Sequence, residues 1–217
     1  MVPAFNERSR VASVLAAVGA LRLPERPRMI VVDDGSSDGT AEVARRAGAQ
    51  VVSHRVNLGK GAALLTGVEA AVATGADLVV VMDADGQHDP SDLPLLLEPL
   101  KAGRADLVLG YRQFTSAMPP AMRFGNTLLS GIFAALFGLR VRDTQCGFRA
   151  LTAEACRSLR WTAIDYAVET EMLVHAARRR LRVVEVPIAT VYLDRHKGTT
   201  AIDGLRILAS MLRWRLD

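Results

Sequence analysis

The chain reads as an α/β fold built on a parallel sheet, and three observations predict it. Apolar β-branched runs alternate with segments of helical periodicity through the first half. Acidic clusters follow directly on three of those runs, where an open α/β sheet collects its ligands. Finally, 217 residues at 50% hydrophobic and 23% charged can bury a substantial core, so one domain spanning 1–217 is expected and disorder or coiled coil is excluded.

The elements follow in order. Met1-Val2-Pro3 looks like the tail of a buried strand: either that strand is short or its true beginning lies upstream. Arg8 to Leu21 carries apolar residues every three or four positions and predicts a helix. Ile30 to Val32 is a strand that runs into Asp33-Asp34. Asp38 to Ala47 is a second helix with Asp38 as its N-cap. Val51-Val52 is a further strand, Gly59 to Thr74 a third helix, and Leu78 to Met82 a strand that ends in Asp83. Phe124 to Leu139 is apolar but interrupted by Asn126, Thr127, Ser130 and glycines. It is shorter than the ~20 residues a spanning helix requires, and reads as interfacial or buried. Ile202 to Leu216 repeats apolar residues at Ile202, Leu205, Leu208 and Leu212 beside Arg206, Arg213 and Arg215. That is an amphipathic helix of basic character, suited either to anionic lipid or to packing on the domain.

Composition narrows the function classes. Lys+Arg 27 against Asp+Glu 23 gives a net charge of +4, which permits an anionic ligand or a membrane surface but is too mild for a nucleic-acid binder. Cys146 and Cys156 form neither a disulfide framework nor a CxxC knuckle, so a reducing compartment is expected. No signal-peptide pattern opens the sequence.

The chemistry lies at three strand ends: Asn6-Glu7, then Asp33 to Thr40 (Asp-Asp-Gly-Ser-Ser-Asp-Gly-Thr), then Asp83 to Asp89 (Asp-Ala-Asp-Gly-Gln-His-Asp). Asp-Asp-Gly-Ser alone is also an ordinary turn before a capped helix. In the third cluster Asp83 and Asp85 can converge on one cation. Carboxylate oxygens suit Mg²⁺ or Mn²⁺, which would keep sites for substrate phosphates, and two carboxylates with no ion between them would repel. Gln87 and His88 can join or support that shell, although a lone His after a turn is also an ordinary solvated residue. Asn57-Leu58-Gly59-Lys60-Gly61 lacks the spacing of a Walker loop, and Lys60 either faces a phosphate or is solvated at a helix start.

Val-Pro-Ala-Phe-Asn-Glu at 2–7, Val-Asp-Asp-Gly-Ser-Ser-Asp-Gly-Thr at 32–40, Asn-Leu-Gly-Lys-Gly at 57–61, Asp-Ala-Asp-Gly-Gln-His-Asp-Pro at 83–90 and Asp-Thr-Gln-Cys-Gly-Phe-Arg at 143–149 together resemble a family 2 glycosyltransferase. The similar branch is the polyprenyl (dolichyl) phosphate mannose and glucose synthases. The resemblance runs in order over nearly the whole chain.

It implies a GT-A nucleotide-diphospho-sugar transferase fold, Rossmann-like, with a mixed, mainly parallel sheet. It also implies inverting transfer of a hexose from a UDP-glucose or GDP-mannose type donor to polyprenyl phosphate at the cytoplasmic membrane face, the enzyme being peripherally attached through helices near 121–139 and 201–216. Pro3, Phe5, Glu7, Val32 and Asp34 would line the base and ribose pocket, and Lys60 and Ala84 would also touch the donor. Asp83 and Asp85, with Gln87, would hold Mg²⁺ or Mn²⁺, Asp85 being indispensable to turnover. Arg112 and Arg123 would hold the acceptor phosphate against the reacting carbon, with Thr127 one turn on. Arg195 and Lys197 lie in a stretch similar to the family's basic flap, matched in part because Thr200 and Ala201 stand where Ser and Lys are usual. The segment around Cys146 looks more like the glucosyl branch.

Glu169 and Glu171, two apart on a helix, are expected on different faces, one reaching the site and the other a surface charge. Three other readings remain: transfer to a sugar hydroxyl, which needs a carboxylate base, a non-catalytic relative, and a nucleotidyltransferase. The last would want a glycine-rich basic loop where Asn6-Glu7-Arg8 stands.

Overall fold

The structure is a computed structural model that describes residues 1–112, 120–189 and 201–216, with backbone only at 120–123 and 201–202. The first half alternates strand and helix as the periodicity predicts: β1 (Val2–Ala4), α1 (Val11–Gly19), β2 (Ile30–Asp33), α2 (Thr40–Arg46), β3 (Gln50–Ser53), α3 (Lys60–Ala73) and β4 (Leu78–Val81). A short 3₁₀ turn at Pro90–Asp92 leads into α4 (Leu93–Lys101). There follow β5 (Leu107–Arg112), α5 (Pro120–Phe137), β6 (Arg149–Thr152), α6 (Ala153–Ser158), α7 (Val168–Arg178), β7 (Val183–Ile188) and α8 (Ala201–Leu216).

Strands β1, β2 and β3 pair in parallel. In the second group, ordered β4-β6-β5-β7, β6 runs antiparallel to both neighbours while β5 and β7 are parallel. Hydrogen bonds from Met82 N to Met1 O (3.1 Å) and from the Met1 ammonium to Val80 O (2.5 Å) lay the two groups edge to edge. The one reversed strand matters for the site. Because Arg149 of β6 stands opposite Val81 of β4 and Leu109 of β5, the loop that enters β6 arrives at the end where β4 and β5 finish.

The sheet is covered on both faces, as a largely parallel sheet must be. Alternate residues of β5 divide between the layers: Leu107 and Leu109 pack with Leu64 and Val68 of α3, Phe133 of α5 and Met172 of α7, while Val108 packs with Val14 and Val18 of α1 and Leu96 of α4.

The second helix starts one residue later than the capping pattern predicts. Gly39 occupies the cap position in a left-handed conformation (φ 88°), and the Asp38 carboxylate instead accepts from Thr40 N (3.0 Å) and Arg8 N (3.1 Å). Helix α8 carries a second apolar stripe besides the one the sequence left open between lipid and the domain. It docks through Ile207, Met211 and Trp214, all buried, while Leu205 and Leu212 point outward. Burying three such side chains contributes roughly 1.5–3 kcal/mol each. Arg178 of α7 fixes the helix end by donating to the Trp214 carbonyl.

Candidate active site

The carboxyl ends of β1, β2, β4 and β5, the loop entering β6 and the start of α7 surround one cavity of about 740 Å³. Pro3, Phe5, Glu7, Asp34, Lys60, Asp83, Ala84, Asp85, Gln87 and Arg112, ten of the residues singled out from the sequence, line it.

At its centre the Lys60 ammonium, on the first residue of α3, lies 2.9 and 3.1 Å from the two oxygens of Asp83 and 2.7 Å from Glu169 Oε1. Burial would raise the Asp83 pKa, but Lys60 and His88, whose Nε2 is 3.7 Å away, outweigh it and hold that carboxyl well below the usual range. Lys60 is held charged far above its ordinary value, the attraction of Asp83 and Glu169 overcoming desolvation. Asp85 moves the other way: burial and the neighbouring Asp83 charge raise its pKa. Its Oδ1 accepts from Gln87 N (2.9 Å).

This donor set fits a divalent cation. Asp85 forms no ion pair with a Lys, Arg or His among the described residues, and Asp83, Gln87 and His88 share its wall. Among the described residues no group of three or more acidic, His or Cys side chains could hold a metal by itself, so an ion here would complete its shell with substrate oxygens. Gly147 makes the approach possible. A Cβ there would lie 2.4 Å from Asp83 Oδ2.

On the β2 side, the Asp34 carboxylate braces a loop. Oδ1 accepts from Leu58 N (2.9 Å) and meets His54 Nδ1 (2.7 Å), and Oδ2 accepts from Gly59 N (2.9 Å). Thr66 lies 3.0 Å from the other His54 nitrogen. Phe5 is 47% exposed at the rim and offers a ring face to a planar base. Glu7 is buried, with Arg10 beside it at 3.4 Å. Val32 departs from expectation: it is fully buried, its side chain turned to Gly67 of α3, and it does not line the cavity. The pleat aims a mid-strand side chain at a covering helix, whereas residues beyond the strand end reach the ligand.

On the β5 side, Arg112 donates from Nε to Asp143 Oδ2 (2.7 Å) and from Nη2 to Oδ1 (3.1 Å). Asp143 is buried and its pKa is low, the Arg112 charge overcoming desolvation. Thr127 is exposed on α5 and does not line the cavity; the α-helix that carries it turns it outward while Asn126 points in. Arg195, Lys197 and the side chain of Arg123 lie outside the described residues.

Several contributors escaped the sequence reading. Arg149, fully buried, donates to the carbonyls of Cys146 (2.8 Å), Thr144 (2.8 Å) and Glu169 (2.7 Å), tying the loop before β6 to α7. Glu169 is the member of its pair that reaches the cavity. Glu171 is no surface charge: it is 2% exposed and accepts from Thr162 N, Ala163 N and the Thr162 hydroxyl, capping the loop that forms the far wall. That loop rests on glycines, since a Cβ on Gly61 would strike Ala163 O at 1.8 Å. The two glycines flanking Lys60, Gly59 and Gly61, were its visible signal.

A mixed sheet with one reversed strand and an acidic cavity of about 740 Å³ at its strand ends is the architecture of a GT-A fold. Residues 1–159 match the Glycosyl transferase family 2 model, and the chain belongs to that family: it is a glycosyltransferase. It is 31% identical over 242 residues to a UDP-N-acetylglucosamine–dolichyl-phosphate N-acetylglucosaminyltransferase of Methanococcus voltae, covering 100% of this chain and 95% of the relative. It is 32% identical over 233 residues to an undecaprenyl-phosphate mannosyltransferase of Micrococcus luteus, covering 100% and 93%. Among solved structures, glucosyl-3-phosphoglycerate synthase from Mycobacterium tuberculosis, in complex with Mn²⁺, UDP and phosphoglyceric acid, superposes with a TM-score of 0.78 at 26% identity, covering 99% of this chain and 76% of that one.

Proposed function

We propose that the enzyme transfers a hexose, with inversion, from a nucleoside diphosphate sugar to polyprenyl phosphate, using Mg²⁺ or Mn²⁺. The observation that carries this reading is the state of the carboxylates. A hydroxyl acceptor needs a base, but Asp143, the carboxylate beside Arg112, is locked in a two-point pair and held at low pKa. An acceptor phosphate is ionised already and needs none. One of its oxygens bonds to the anomeric carbon as the bond from that carbon to the donor phosphate breaks, the electron pair leaving with the nucleoside diphosphate.

Phe5, Pro3, Glu7 and Asp34 would form the nucleoside end, and Asp83, Asp85 and Gln87 would hold the metal, whose bound charge offsets that of the diphosphate. Arg112, oriented by Asp143, would face the acceptor phosphate, with Arg123 as its partner and Arg195 and Lys197 closing over the donor. Full-length similarity to two enzymes named for lipid-phosphate acceptors supports the acceptor class.

Attachment to a membrane surface, taken here as the cytoplasmic face, is supported in its surface character by the paired helices α5 and α8. They expose Phe124 and Leu128, and Leu205, Leu212 and Leu216, beside Arg206, Arg213 and Arg215. This is the pattern of an interfacial surface. Among the described residues no helix is long and apolar enough to cross a membrane.

Radiolabelled UDP-glucose and GDP-mannose, each supplied with polyprenyl phosphate, should yield an organic-soluble, mild-acid-labile product that Asp85→Ala abolishes. Label that moves only into a water-soluble product would overturn the acceptor.

A further inference from the structure

Lys60 occupies an unusual electrostatic position. A single ammonium is shared by two carboxylates that arrive from β4 and α7, at 2.9 and 2.7 Å, while Asp85 makes no ion pair with a basic side chain among the described residues. Its backbone is fixed. Gly59 N is bound by Asp34, Gly61 N donates to Ile164 O (3.0 Å), and the Trp161 indole donates to Gly61 O (2.9 Å). The part that can move is the flexible four-carbon stem, whose head has three donors and no directional fork. Asp83 has little room to move away, because the space a Cβ would take on Gly147 lies 2.4 Å from its Oδ2. Around the cavity six carboxylates (Glu7, Asp34, Asp83, Asp85, Asp165 and Glu169) face Lys60 and Arg112 among the described residues.

A divalent ion that approaches Asp83 and Asp85 alone therefore meets a like charge already seated on Asp83. A diphosphate alone meets a mostly acidic wall. Each obstacle is removed by the other ligand, because an ammonium drawn onto the diphosphate leaves Asp83 open to the metal. Resting on the donor and metal reading above, we propose that Lys60 is an exchangeable counter-ion: it holds Asp83 and Glu169 while the site is empty and passes to the nucleoside diphosphate on binding. The metal and the nucleotide thereby enter as a coupled pair.

The test is binding rather than turnover. Titration calorimetry would measure Mn²⁺ alone, UDP and GDP each with chelator, and each nucleotide with Mn²⁺, in the parent and in Lys60→Met. In the variant, Mn²⁺ alone should bind at least about tenfold more tightly, the metal-free nucleotide more weakly, and the enhancement of Mn²⁺ affinity by nucleotide should shrink at least about tenfold. A variant that binds both ligands with the parent's coupling overturns the counter-ion and leaves the donor reading standing. A parent that binds neither nucleotide with Mn²⁺ removes both.

Because Lys60→Met takes the ammonium from Asp83 and from buried Glu169 and can unfold the chain, a second measurement uses the parent itself. The sequence has only three lysines, Lys60, Lys101 and Lys197, so ¹³C-methylated lysine signals are few enough to resolve. The Lys60 signal should shift on addition of UDP or GDP in chelator. A bound nucleotide that leaves it unmoved overturns the proposal.

Discussion

Gly147→Ala tests the site at a single atom. The glycine is not in a left-handed conformation, so alanine is tolerated by the backbone and the only conflict is spatial. The new Cβ would sit 2.4 Å from Asp83 Oδ2, 3.0 Å from its Cγ and 3.1 Å from Oδ1. Restoring ordinary contact requires the carboxylate to move by roughly 1 Å. Asp83 is short, and Lys60 grips it from the other side, so the displacement falls on the metal-facing group itself. A misplacement of that size costs about a hundredfold in rate, or about 2.7 kcal/mol in barrier. Overpacking would take about 1–3 kcal/mol from stability, so a thermal melt must accompany transfer assays with labelled donor at 25 °C. Gly19→Ala is the control, since nothing lies within 4 Å of its added Cβ. If Gly147→Ala turns over within about threefold of the parent, less than 1 kcal/mol in barrier, the placement of Asp83 against this loop has no part in catalysis and the metal assignment loses its geometric basis.

Arg149→Met removes the donor shared by the carbonyls of Cys146, Thr144 and Glu169, leaves the first two without that partner, and should cost about 2 kcal/mol or more in urea unfolding; an unchanged midpoint would refute the bracing role. Hydrogen bonds from His175, Ala163 and Thr162 overcome burial and lower the Glu171 pKa. Its stabilisation is therefore present above the ordinary glutamate value of 4.5 and is lost as pH falls through the lower folded value. Glu171→Gln should cost roughly 1–2 kcal/mol at pH 7, with the difference from the parent shrinking below pH 4.5; a gap that widens in acid has the wrong sign. Leu205→Gln with Leu212→Gln, both on exposed positions, should change stability by no more than about 0.5 kcal/mol yet reduce co-sedimentation with anionic vesicles several-fold. Equal retention would place membrane contact elsewhere.

The aspartates were legible because each ends a run of β-branched residues, and a strand end is a position that sequence can mark. Their partners were not. Glu169 meets Lys60 across more than a hundred residues, and Gly147 and Arg149 enter the site only because β6 runs against its neighbours, a reversal that no local period encodes. Helix α8 was open for another reason. It carries two apolar stripes, and periodicity cannot say which one docks; the bulk of Trp214 and Met211 decided it. The resemblance placed Val32 in the pocket, but Val32 lies within β2 and faces Gly67 of α3, whereas Asp34 lies beyond the strand end.

The acidic wall gives the argument its last step. A diphosphate brings further negative charge to a cavity whose described carboxylates outnumber its described cations. Each like-charge pair about 5 Å apart costs roughly 3 kcal/mol at an effective dielectric of 20, so a few such pairs would exceed the whole free energy of micromolar binding. The chain's net charge of +4 cannot relieve this from a distance, because exposed charges are screened beyond about 8–10 Å at physiological salt. Compensation has to be local. Donor affinity should therefore rise steeply with divalent cation and hardly at all with monovalent salt, the opposite of what a basic nucleotide pocket would do.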